Sequence, residues 1–299
     1  MTTTVGAPRS RPSRSWRGPA RTHLFTFAGY LEQLGGWGRG TRRAIGNWYV
    51  DPERGVDTVA YQVVKYRRRN GWSHADLLRL SHPRTTEPVR RELFGWIHGR
   101  TADLSALPLL AAFERVQATT DATEAADVVT FNRALSWEMI PDRFLNEPRV
   151  WEALLANSLP QTALLRQLPR RTRLDPHGPW ARVVADELTD TARLRKARVH
   201  PVAVLVAQRT YSGGHGAGGS WTPSRAIMDA LDAAFYRAYD AVEPAGKRML
   251  PALDVSASMT APVSGLPISC RGAPAELALV TTATEASYEI VGRASGTPG

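Results

Sequence analysis

The chain has 299 residues, room for one large domain or two smaller ones, and 43% are hydrophobic, enough to build a core. Basic residues outnumber acidic ones 38 to 28, giving a net charge of +10 and a pI near 10.3, so polyanions are attracted. One cysteine, Cys270, excludes a disulfide framework and a cysteine-based zinc site; no apolar run reaches the ~20 residues of a membrane span, and the polar N-terminus lacks the hydrophobic stretch of a secretory signal. A reducing, cytoplasmic setting without membrane association is expected.

Residues 1–22 carry Arg9, Arg11, Arg14, Arg17 and Arg21 among Pro, Ser, Gly and Thr, the composition of a disordered basic arm. From Leu24 to about Val242 helix follows helix. Leu24, Phe27, Leu31 and Leu34 share helical spacing until Gly35-Gly36 stops it; Val56, Val59, Ala60 and Val63 make a second stripe ended by Asn70-Gly71. Ser73 and Asp76 form a capping box for a helix that must end near His82, before Pro83. Proline at the first helical position opens further helices at Pro88, Pro148, Pro201 and Pro223. No β-rich alternation precedes Lys247, and residues 212–220 (SGGHGAGGS) read as a surface linker loop, without the Gly-Lys-Ser/Thr of a phosphate-binding loop. These helices fit an α-solenoid or ring of helix pairs; an irregular bundle fits the periodicity nearly as well.

After Val242 the texture changes. The run Met249–Leu253 leads to Asp254, a helix is expected over Ala275–Thr284, and Tyr288 to Gly292 follows as a second strand: strand, loop, helix, strand, the opening of a βαβ unit.

Lys65-Tyr66-Arg67-Arg68-Arg69-Asn70-Gly71-Trp72 is the strongest local feature. On a continuing helix Lys65 and Arg69 share a face, with Arg68 beside them, and a polyanion would relieve their repulsion. Tyr66 and Trp72 could stack on bases or pack in a core, and the basic face fits an ordinary solvated surface equally well. Further basic runs are Arg166, Arg170, Arg171 and Arg173 around Pro169, and Arg193, Arg195, Lys196 and Arg198 before His200. Asp254-x-Ser256-x-Ser258 offers a carboxylate and two hydroxyls to Mg²⁺ or another divalent cation; the same residues make an ordinary turn that bonds its own backbone. Motifs of hydrolytic enzymes are missing and the histidines are scattered, so an enzyme is not expected.

Gly36-Trp37-Gly38-Arg39-Gly40-x-Arg42-Arg43-Ala44-Ile45-x-x-Trp48-Tyr49, the segment Lys65 to His82, Trp137-Glu138-Met139-Ile140-Pro141, the run Leu164 to Arg173 and Arg198-Val199-His200-Pro201 together resemble the TROVE domain of Ro autoantigens and their bacterial relatives, over about residues 25–245. The resemblance implies a mainly α ring or open solenoid of HEAT-like repeats, recognising small non-coding (Y-like) or misfolded RNAs as a monomer within a ribonucleoprotein, with an exoribonuclease as a further partner through a tethering RNA. It places Lys65, Arg69 and His82 at the RNA surface, and Arg68, Arg170 and Arg171 are candidates beside them. It also implies that residues 246–299 begin a von Willebrand factor A-like domain whose Asp254, Ser256 and Ser258 match an adhesion-type metal site. That gives three segments: a basic arm (1–22), a helical RNA-binding domain (23–245) and a truncated A-type fragment (246–299). By the same resemblance the arm is expected in place of the family's opening helices, and the fragment, expected to lack the later metal-binding loops, is expected to fold poorly alone and hold metal weakly. The competing function is a helical-repeat protein-interaction scaffold with a metal-dependent A-type domain.

Overall fold

Helices carry most of the chain, as the apolar spacing predicts. The computed structural model describes residues 23–157, 159–176 and 178–294; the basic arm expected over 1–22 lies outside them. The described residues divide between two compact units, with the boundary between Pro141 and Asp142.

In the first unit, α1 (His23–Gln33) buries Leu24, Phe25 and Ala28 and ends at Gly35 and Gly36, both at positive φ (+118° and +95°). Leu34, expected on the apolar stripe, is exposed because the helix has already stopped at Gln33. Helix α2 (Arg39–Val50) buries Ile45, Trp48 and Tyr49, and α3 (Val56–Lys65) buries Val59, Ala60, Val63 and Val64.

Helix α3 ends at Lys65 rather than running on to Asn70. The chain turns instead into an antiparallel hairpin, β1 (Arg68–Arg69) with β2 (Trp72–Ser73), in register Arg68↔Ser73 and Arg69↔Trp72. Asn70 (φ 52°) and Gly71 (φ 80°) supply the two left-handed positions of a two-residue hairpin turn, a conformation Asn-Gly favours.

Helix α4 (His74–Ser81) opens with the expected capping box: Ser73 Oγ accepts from the Asp76 amide at 3.2 Å, and Asp76 Oδ2 accepts from the Ser73 amide at 2.9 Å. It closes on His82 in the left-handed conformation (φ 47°), whose N–H reaches the Leu78 carbonyl at 2.9 Å before Pro83 leads the chain away. Then come α5 (Pro88–Ile97), α6 (Pro108–Ala118) and α7 (Ala122–Phe131); α5 opens on its proline as expected, and so does α6. Helices α2 and α4 pack together, α3 packs on α5 and α6, and α6 on α7. The buried Arg90 of α5 ties this unit internally, donating to Glu87 Oε2 (2.8 Å) and to the carbonyls of Arg54 (3.0 Å) and Tyr49.

The second unit starts with α8 (Pro148–Ala156), α9 (Gln161–Leu174), α10 (Trp180–Leu188), α11 (Thr191–Lys196), α12 (Pro201–Ser212) and α13 (Arg225–Arg237). Helix α13 packs on α10 and α12, and α9 on α8, α10 and α12. Pro169 lies inside α9 without ending it. Pro223 is not at a first helical position: Ser224 caps α13 and Pro223 precedes the cap. The glycine-rich stretch, expected as a loop, is an exposed hairpin of β3 (His215–Gly216) and β4 (Gly219–Ser220), anchored by Trp221, whose amide and Nε1 donate to the Gly214 and Tyr211 carbonyls, each at 2.8 Å.

The C-terminal segment has the expected strand–helix–strand order, with shorter strands. Strand β5 (Ala252–Asp254) pairs in parallel with β6 (Val291–Arg293), and α14 (Gly272–Thr284) connects them. Pro251 sits just before β5, where its carbonyl accepts from the Val291 amide at 3.0 Å, so its missing N–H costs the ladder nothing within β5.

Candidate nucleic-acid interface

The cations around α3, the hairpin and α4 are distributed by backbone geometry. Successive strand residues point to opposite faces, which sends Arg68 and Arg69 apart. The Arg69 guanidinium lies 5.1 Å from the centre of the Tyr66 ring, and Lys65 Nζ lies 5.7 Å from the same ring. Lys65 and Arg69 are therefore neighbours, but through the shared Tyr66 ring and not through helical i,i+4 spacing, which ends at Lys65. Arg68 instead faces the Asp76 carboxylate, which also pairs with Arg79 at 3.6 Å. Asp76 is held below the usual carboxylate range, first by the Ser73 hydroxyl and further by Arg79 and Arg68.

Lys65 is not a freely presented cation. Its side chain is 15% exposed, bonded to Tyr61 Oη at 3.2 Å and paired with Glu138 Oε1 at 3.5 Å. Burial pulls its pKa down, but the Tyr61 hydrogen bond and the Glu138 charge outweigh that and leave it above the ordinary lysine value. A phosphate reaching Lys65 must displace the Glu138 carboxylate. Arg68 and Arg69 are exposed on the hairpin. His82 is exposed at the far end of α4, whose eight residues set it ~12 Å from the hairpin end of that helix. The structure thus brings Lys65 and Arg69 together, puts Arg68 beside α4 and leaves His82 apart.

The aromatic residues of this segment are already engaged. Trp72 packs on Trp37 with ring centres 5.2 Å apart, and Tyr66 has both Lys65 and Arg69 on its ring. Beneath the hairpin, His74 is buried, and its Nδ1 meets Tyr49 Oη at 2.7 Å. Burial, only partly opposed by the Gln62 main chain, lowers the His74 pKa to about 3, so the imidazole is neutral and structural.

In the second unit the basic run of α9 departs from expectation. Arg171, expected at an RNA surface, is 3% exposed: its guanidinium lies 5.3 Å from the Trp180 ring and donates to the Pro148 carbonyl at 3.4 Å. The helical phase places it on the core face with Leu164 and Leu168, and its stem packs as an apolar chain. Arg170 is half-buried. Arg173 is covered by the glycine hairpin: it lies over Trp221 at 5.7 Å, and a Cβ at Gly218 would come within 2.6 Å of its Nη2. Arg193 donates to the Leu159 carbonyl and pairs with Glu187 at 3.1 Å, whereas Arg195, Lys196 and Arg198 are exposed.

Sequence reasoning missed Arg79, Arg67 and Arg100. Arg79 was visible at i+3 from Asp76 on the exposed side of α4. The other two face one cleft only after α3, α5 and α6 pack.

Asp254, Ser256 and Ser258 form a loop after β5. Asp254 Oδ1 accepts from the Ser256 amide at 2.9 Å and from the Ser256 hydroxyl, which lowers the carboxyl pKa. This is the self-bonded turn, and Asp254 is its one acid. The single carboxylate is already engaged by Ser256, so these three side chains offer only part of the oxygen shell of a divalent cation, and among the described residues no group of three or more His, Cys, Asp or Glu suited to a metal occurs.

A model of the TROVE domain matches residues 19–107 and 104–213. A Caenorhabditis elegans protein named RNA-binding protein RO60 is 32% identical over 90% of this chain and 51% of its own length. A Deinococcus radiodurans protein of the same name is 36% identical over 88% of this chain and 51% of its own length. The crystal structure of the Deinococcus radiodurans RO (RSR) protein superposes with a TM-score of 0.78 at 33% identity, covering 91% of this chain and 56% of that one. This chain spans about half the length of the curated relatives it matches. The hairpin-and-helix basic segment falls inside the matched region, and by that match the chain belongs to the TROVE domain family.

Proposed function

We propose that this chain binds RNA, with small non-coding RNAs of the Y-like kind or misfolded RNAs as the class recognised, as the protein part of a ribonucleoprotein. The observation that carries the reading is the exposed Asn-Gly hairpin with Arg68 and Arg69 on its first arm, Lys65 and Arg69 on the Tyr66 ring, and Arg79 along α4. Guanidinium groups on a fixed turn can each take two phosphate oxygens, and a short rigid hairpin loses little freedom on binding. Two relatives of similar sequence bear the name RNA-binding protein RO60. In this reading Lys65 serves as a gated cation that trades Glu138 for a phosphate. Arg171 has no part in it, being enclosed in the core. An exoribonuclease held through a tethering RNA is a further partner this reading allows.

Filter binding or anisotropy with a small structured RNA tests it in two opposite arms. Lys65→Ser with Arg69→Ser should weaken affinity at least severalfold with helicity unchanged. Glu138→Gln should raise it about two- to threefold by freeing Lys65, in line with the few tenths of a kcal/mol typical of partly exposed pairs. Unchanged affinity in both variants would defeat the assignment.

A further inference from the structure

One cleft of the first unit is not used by the hairpin surface. It encloses about 620 Å³, within the ~300–1,000 Å³ typical of small-molecule pockets. Arg67, just before the hairpin, and Ser73, the last residue of β2, form one wall; Trp96 of α5, Arg100 and Thr101 of the following loop, and Glu114 of α6 form the others. Among the described residues, neither Arg67 nor Arg100 has an ion-pair partner. The acid of the cleft is occupied: Glu114 Oε1 accepts from Trp96 Nε1 at 2.8 Å. That bond and the edge-on packing on Phe113, 6.1 Å between ring centres, fix the half-buried indole. Arg67 is itself steadied over the Phe113 ring at 5.2 Å. Burial first, and then the nearby Arg100 and Arg79, lower the pKa of the adjoining His98.

We propose that this cleft takes one unstacked nucleotide of a bound RNA, with its phosphate between Arg67 and Arg100 and its base against Trp96. Two free guanidiniums suit a phosphate, and a fixed indole suits the flat, sequence-tolerant face of a base. Arg67 immediately precedes β1 and Ser73 ends β2, so the cleft borders the basic hairpin and an RNA strand held there has a nucleotide within reach of it. The idea rests on the RNA-binding reading for the source of the nucleotide, but not for the chemistry of the site, which a free nucleoside monophosphate shares.

The test uses the full chain, 5′-UMP, and a single-stranded oligonucleotide carrying 4-thiouridine. The wild type should bind UMP saturably, and Arg67→Ala with Arg100→Ala should weaken both UMP and oligonucleotide at least fivefold. Arg67→Lys with Arg100→Lys should restore most of the UMP binding, which separates loss of charge from misfolding. Lys65→Ser with Arg69→Ser should leave UMP affinity unchanged, and photo-cross-links should map to the peptide containing Trp96. Saturable UMP binding without RNA binding would keep the site, assign it to free nucleotide and sink the RNA-binding reading alone. Absent UMP binding, or full UMP and oligonucleotide affinity in the double alanine variant, would overturn the cleft while leaving the hairpin surface standing.

Discussion

Five basic side chains show how burial decides role. Arg171 and Arg90 are cations spent on carbonyls and rings inside the fold, Lys65 is a cation held in reserve by Glu138, and Arg69 is left outside. His74 is the sharpest case, a neutral imidazole enclosed with Tyr49, Phe25 and Trp48 directly below the hairpin. Its folded pKa of about 3 lies below the ordinary 6.5, so the unfolded chain binds the proton more readily. Stability is therefore complete above pH 6.5 and falls as the pH drops toward 3, at up to ~1.4 kcal/mol per pH unit for this one group. Thermal unfolding from pH 7 to 4.5 should show that loss, and His74→Phe with Tyr49→Phe should flatten it; an equal pH slope in the variant would remove His74 as the cause.

At the scale of elements, the Asn70-Gly71 turn sets where the site's cations stand. Gly71 at φ 80° resists a side chain, although open space surrounds it, so the cost of a Cβ there is conformational. Gly71→Val should destabilise the protein by roughly 1–2 kcal/mol and weaken RNA binding without removing a charge; full RNA affinity with an intact fold would show that hairpin geometry is unimportant. The sequence announced this hairpin, for Asn-Gly is the strongest short hairpin signal, but the apolar stripe from Val56 to Val63 drew the helix too far. The capping box at Ser73, the stop at His82 and three of the four proline starts were legible because each is a local rule of backbone chemistry. Local rules could not give the burial of Arg171, the Glu138 partner of Lys65 or the cleft of Arg67 and Arg100, because those depend on which helices pack together. The parallel pairing of β5 with β6 was likewise readable from chain order, whereas the turn that engages Asp254 was one of two readings the residues allowed.

For the molecule as a whole, a net charge of +10 attracts any polyanion and specifies none. Specific binding requires that a few cations sit at fixed positions, and the family match covers the basic segment of this chain. Nonspecific and site-specific attraction separate in the salt dependence, because each phosphate neutralised releases counterions and steepens the slope of log affinity against log salt. The decisive measurement is that slope for a structured RNA, in the wild type and in Lys65→Ser with Arg69→Ser. A wild-type slope of roughly −3 to −5 that becomes shallower by about 1–2 in the double variant is the expected result. Equal slopes in the two proteins would place the phosphate contacts elsewhere and contradict the account.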